Sequence, residues 1–164
     1  LSSDAHVWVD TTPQNAENAH RLVRLMPQSK VVFMIRDGRD TCASVLQKQW
    51  GPDSPTMALE WWRRAALRAH RSIGQAGPEH GLTIRFDELL HTRRNETLHE
   101  LFDFVGFELT REVQQFFAER MSGRKANTDR WRRDIPAEAL PAFERRYAEI
   151  HEELSAEGLR LPPL

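Results

Sequence analysis

Cysteine is nearly absent: Cys42 is the only one in 164 residues. A lone thiol excludes an internal disulfide and a Cys-based zinc site, and it suits a reducing compartment. No apolar run approaches the roughly 18 residues of a membrane span. A secretory signal pattern is missing too. The expectation is therefore a cytoplasmic protein with no membrane segment in this chain, although an anchor upstream of Leu1 stays compatible with it. Excess charge is also lacking. The net charge of -1 argues against a general nucleic-acid binder, which is normally basic. Lysine is scarce, at Lys30, Lys48 and Lys125 only, so arginine carries most of the positive charge. A GC-rich genome or the value of a guanidinium fork for phosphate explains that equally well. Glycine does not occur before Gly38.

What remains is an ordinary globular composition, 40% hydrophobic and 29% charged, in a length that suits one domain with a real core. His6 to Val9 reads as a short buried strand that Pro13 ends. Ala19, Leu22, Val23 and Met26 recur at helical spacing over Gln14 to Met26. Val31 to Ile35 is a continuous apolar run, the mark of a strand buried on both faces. A polar loop, Arg36 to Asp40, leads into a helix reaching about Gln49. A long helix is expected from about Thr56 to Gln75, with Trp61, Trp62, Ala65, Ala66 and Ala69 on its buried face. Leu82 to Phe86 reads as a third strand. Helices near Asn95 to Val105 and Thr110 to Met121 follow, the latter with Val113, Phe116 and Phe117 inward. Ser122 to Asp134 is basic and irregular. A last helix starts near Pro136, a good first-turn residue, and Leu161 to Leu164 looks like a tail. Strands alternating with helices predict an α/β fold, a parallel sheet flanked by helices.

The stretch VVFMIRDGRDTCAS, from Val31 to Ser44, is the most informative. A buried strand delivers Arg36 at its carboxyl end, the edge where open α/β sheets bind ligands. Asp37 can cap the next helix, with Asp40 three residues on as in a reciprocal capping box. Gly38 allows a tight turn. Exposed amides at the helix start favour an anion, and Arg36 adds a planar fork for phosphate. Ser44, further along the helix, can donate its hydroxyl to the same group. The competing reading is a merely capped helix with Arg36 ion-paired to Asp37 or Asp40. A protein-kinase catalytic loop is rejected, because it needs Asn five residues after its Asp, and Cys42 and Val45 hold those positions.

The strand-Arg-Asp pattern with Ser44 resembles the 3′-phosphate motif of sulfotransferases that use 3′-phosphoadenosine 5′-phosphosulfate (PAPS). Four further segments resemble the family in the right order. They are VWVDTTPQN near the start, IRFDELL from Ile84 to Leu90, LHELFDFVGFEL, and GRKANTDRWRRDIP before the last helix. The heparan, tyrosylprotein and bacterial branches are the most similar.

The resemblance implies a single domain over residues 1–164 with part of a P-loop NTPase-like sulfotransferase fold. It also implies transfer of a sulfuryl group from PAPS to a hydroxyl or amine, with no metal. Asp10 takes the place of the catalytic carboxylate. Arg36 and Ser44 take the 3′-phosphate, Phe86 stacks near the adenine in place of the usual Tyr, and Arg124 with Lys125 closes over the phosphate. Thr11 stands where the family has a lysine, which removes a cation from the transferring group. The family's glycine-rich 5′-phosphosulfate loop has no counterpart here. The expectation is an N-terminally truncated chain whose missing segment completes the site. Expected partners are a small-molecule, carbohydrate or peptide acceptor, with no nucleic acid. Trp131 is expected to be a packing anchor, and the Arg130 to Arg133 cluster to face the acceptor. Two other classes compete: a P-loop kinase-like nucleotide-binding fragment, and a non-catalytic interaction module on the same scaffold.

Overall fold

The computed structural model describes residues 7–121 and 128–164. Two strands, β1 (Val31–Ile35) and β2 (Gly81–Arg85), pair in parallel with Val31 opposite Gly81 and Ile35 opposite Arg85. Between them run α3 (Gly38–Val45) and α4 (Pro55–Ala76). Ahead of β1 lie α1 (Gln14–Glu17) and α2 (Ala19–Leu25). After β2 come a π-helical turn (Glu88–Thr92), α5 (Arg94–Val105), α6 (Arg111–Arg120), α7 (Trp131–Asp134) and α8 (Leu140–Ala156).

Strand parity sorts the side chains into two layers. Phe33 and Ile35 point to a core of Cys42, Leu59, Trp62, Trp131, Phe143, Tyr147, Ile150 and Leu154, contributed by α3, α4, α7 and α8. Val32, Leu82 and Ile84 point the other way, to Leu89, Leu98, Leu101, Phe102 and Phe117. The sheet is thus a parallel α/β sheet with helices on both faces, as the alternation of elements predicts. The α8 stripe works as expected, because Phe143, Tyr147, Ile150 and Leu154 are all buried. Each such burial contributes about 1.5–3 kcal/mol. Among the described residues no helix is long and apolar enough to cross a membrane.

Several expectations are corrected. Val7, Trp8 and Val9 form no strand; they are 54%, 71% and 77% exposed. An apolar run becomes a strand only beside a ladder partner, and among the described residues only β1 and β2 pair. The sheet of the described residues therefore has two strands, not three. The helix expected over Gln14 to Met26 breaks at Asn18, whose side-chain amide donates to the Gln14 carbonyl at 3.0 Å, a local bond that competes with the helix. Helix α3 stops at Val45 rather than near Gln49. Phe116 faces outward, 60% exposed, while Phe117 alone of its helix is buried. Pro136 sits in a turn ahead of α8, and Pro141 takes the first-turn position. The supposed tail is docked: Leu161 and Pro162 are buried, and His151 Nε2 lies 2.9 Å from the Pro162 carbonyl.

Candidate functional site

The site grows from the register of the sheet. Ile35 and Arg85 are opposite partners, so the next residues, Arg36 and Phe86, leave the sheet side by side at its carboxyl edge. The Arg36 guanidinium carbon lies 5.4 Å from the centre of the Phe86 ring, within cation–π reach. Arg36 Nη2 also donates to Asp40 Oδ2 at 3.2 Å.

Asp37 caps α3 as predicted, accepting from the Arg39 amide at 2.8 Å. Asp40 does not complete a capping box. Its carboxylate, only 2% exposed, turns away from the helix start. It accepts from Arg36, from the Asp129 amide at 3.1 Å and from the Trp131 amide at 3.4 Å. Gly38 is required for a different reason than a tight turn. A Cβ there would lie 2.6 Å from the Trp62 indole, so Trp62 packs directly on the first turn of α3. Within α3, Asp40 and Ser44 are four apart and share one helix face, while Arg36 precedes the cap Asp37 and lies outside the helix. Ser44 is half-buried, and its hydroxyl makes no hydrogen bond to a described residue.

The second arginine of the motif has another job. Arg39 grips Asp37 through Nη2 at 2.7 Å and lies 4.8 Å from the Trp131 ring centre and 4.7 Å from that of Tyr147. Burial works against its charge, but the hydrogen bonds to Asp37 outweigh it and raise its pKa. Burial pushes the Tyr147 hydroxyl well above the usual phenol range, helped by the nearby Asp37 carboxylate. The Cys42 thiol rises likewise on burial, which removes it as a nucleophile at neutral pH.

Asp10 is joined to this cluster by no hydrogen bond or ion pair among the described residues. It is fully exposed, and its Oδ1 accepts from the Thr12 hydroxyl at 2.7 Å and the Thr12 amide at 2.9 Å. Those bonds hold its carboxyl below its ordinary value. Arg124 and Lys125 fall outside the described residues. Trp131 is the packing anchor expected of it, 1% exposed. In the adjoining basic cluster, Arg130 binds Asp134 at 2.7 Å and Gln47 at 3.0 Å, and Arg132 lies over the Trp131 ring. A cleft of about 340 Å³ between α2 and α4 lies at the other end of β1, where Ala19 and Ile73 pack on Val31. Its Arg68 and Arg71 are paired with Glu17 and Glu157.

Sequence reasoning missed the buried role of Asp40, the Trp62–Gly38 contact and the stacking of Arg39. Only the first left a trace, the four-residue spacing from Arg36 to Asp40.

A parallel sheet with helices on both faces, an arginine at a strand end and a capped helix behind it defines an α/β protein. A model described as the sulfotransferase family matches residues 1–112. The chain belongs to that family, whose general chemistry is sulfuryl transfer. The matched span contains Asp10, Arg36, Ser44 and Phe86 and stops before Arg124 and Lys125.

Proposed function

We propose that this chain binds the adenosine 3′-phosphate end of PAPS at the β1–α3 edge and takes part in sulfuryl transfer to a hydroxyl or amine. The carrying observation is the pairing of Arg36 with Phe86 across the ends of adjacent parallel strands. A guanidinium beside an aromatic face suits a nucleotide whose base and ribose phosphate are neighbours. The fork of Arg36 supplies charge-assisted hydrogen bonds to a phosphate oxygen, and Ser44 adds a neutral donor from α3. Phe86 offers a stacking surface without the hydroxyl that a tyrosine would add. Arg124 and Lys125 are proposed to close on the same phosphate.

When bound, PAPS supplies the activated sulfuryl group. Asp10 is proposed as the group that accepts the acceptor's proton. Asp10 is ionised at neutral pH, and the Thr12 hydrogen bonds that lower its pKa make it a weaker base than a free aspartate, so the acceptor must displace them for the proton to transfer. A second reading, a binding module without turnover, draws on the same residue, because the Asp10 carboxylate is held by Thr12 in a turn.

The test is calorimetric titration of the full-length protein with adenosine 3′,5′-bisphosphate and with adenosine 5′-monophosphate. A hydrogen bond to a charged group is worth about 1.5–3 kcal/mol, so Arg36→Ala should weaken the bisphosphate about 10- to 100-fold. Arg85→Ala, whose guanidinium is bound to Asp87 and Glu88, should leave it within about twofold. Undiminished affinity in Arg36→Ala sinks the assignment. A sulfate-transfer assay over an acceptor panel then separates enzyme from binding module.

A further inference from the structure

We infer that Asp40 is the positioning residue that sets the guanidinium of Arg36 for a 3′-phosphate, by tying it to the turn at Asp129–Trp131; this rests on the cofactor reading above.

A carboxylate this deeply buried costs several kcal/mol unless it is paired and hydrogen-bonded. Asp40 is satisfied from two directions. One is local: Arg36 Nη2 donates to Oδ2. The other reaches across the chain, where the Asp129 amide donates to the same Oδ2 and the Trp131 amide to Oδ1. Those amides are held in place independently of Asp40. Trp131 is clamped in the core against Phe143. Asp129 adopts a left-handed backbone, φ 58°, that folds the chain back on α3. Gln47 ties the same segment a second time, donating to Asp134 at 3.1 Å and accepting from Arg130 at 3.0 Å.

The carboxylate therefore has little freedom, and its grip on one edge of the guanidinium passes that order to Arg36. Phe86 bounds the guanidinium from the second strand. A loose arginine loses rotamer freedom on binding. An arginine already oriented gives up less, and preorganisation of this kind raises affinity. Two effects of opposite sign compete, because the negative charge of Asp40 also repels a phosphate. The two backbone amides offset part of that charge, so orientation wins. The contact also joins residues inside the family match to residues beyond it.

The experiment compares the affinity ratio, adenosine 3′,5′-bisphosphate over adenosine 5′-monophosphate, in wild type, Asp40→Asn, Arg36→Lys and Gln47→Ala. Thermal midpoints are recorded for each. Asp40→Asn keeps the shape but has one acceptor oxygen for three donors, and its ratio should fall about tenfold. Arg36→Lys keeps the charge and loses the oriented fork, and should fall as far; this arm serves even if Asp40→Asn does not fold. Gln47→Ala removes the second tie of the segment while Trp131 stays clamped in the core, so it should lower the midpoint and lower the ratio much less than Asp40→Asn does. A wild-type ratio in Asp40→Asn or in Arg36→Lys overturns the inference, as does a fall in Gln47→Ala equal to that in Asp40→Asn. If the wild type shows no preference for the bisphosphate, the cofactor reading fails and takes the inference with it. If Arg36→Ala abolishes the preference while Asp40→Asn and Arg36→Lys keep it, the inference alone fails.

Discussion

At the end of β1 the chain passes through Arg36 and the cap Asp37 into a regular helix. At the end of β2 it passes through Arg85, Phe86 and Asp87 into a π-helical turn. Both exits place an arginine beside acidic residues, yet they dispose of the charge differently. Arg85 pairs with Asp87 and reaches Glu88 at 3.6 Å, so two carboxylates share it. Glu88 is buried and draws Arg160 at 3.1 Å and Arg93 at 3.9 Å as well. Guanidinium and carboxylate neutralise each other there, and the exit is a structural knot. At β1 the buried acid is Asp40, and backbone amides supply two of its three donors. Arg36 is ion-paired with Asp40, and two backbone amides share the charge of that carboxylate. On the proposed reading, the same residue types make a ligand edge on one strand and a brace on the next, and the backbone amides from the C-terminal segment make the difference.

The contrast breaks most readily at Gly38. A methyl there meets the rigid Trp62 indole at 2.6 Å, and overpacking of this kind costs about 1–3 kcal/mol. Gly38→Ala should therefore lower the thermal midpoint by several degrees, read by circular dichroism. It should also weaken the bisphosphate, because the start of α3 must move. An unchanged midpoint would show that Trp62 has room to shift.

Next in size is a change at the other exit. Glu88→Gln removes the charge that Arg85, Arg93 and Arg160 share. The arginines are partly solvated, with Arg160 71% exposed, so the loss should be about 1 kcal/mol of stability. Affinity for the bisphosphate should stay within about twofold. A larger loss of affinity would make the β2 exit part of the ligand edge and erase the comparison.

Much of this difference could be read ahead of the structure, and the unreadable part has a common cause. Val31–Ile35, the Asp37 cap and the α8 stripe are local, and periodicity and capping chemistry suffice for them. Arg36 and Phe86 could be nominated separately, but their meeting depends on strand register, which one-dimensional pattern leaves open. For Asp40 the competing reading, an ion pair with Arg36, is present, but its two amide donors lie 89 and 91 residues away and leave no local trace. The expected strand at His6–Val9 failed in the same sense. Its residue types fit a strand, but strand formation needs a neighbour that local sequence does not name. Asp10 was assigned through the resemblance, and its hydrogen bonds to Thr12 match the turn role that its own neighbourhood suggests.

The smallest effect falls on Ser44 and bears on how far along α3 the ligand edge extends. Ser44 follows Asp40 by four residues, so it sits one turn further on the same face. Its hydroxyl is half-buried and makes no bond within the described residues. Removing it therefore strands no partner, and Ser44→Ala should change stability by no more than about 0.5 kcal/mol. A neutral hydrogen bond to the phosphate is worth about 1 kcal/mol, so bisphosphate affinity should fall about fivefold while the monophosphate is unaffected. Equal weakening of both ligands would place Ser44 away from the 3′ position. No change in either would confine the edge to Arg36 and Phe86, leaving Ser44 as a solvated residue of a capped helix.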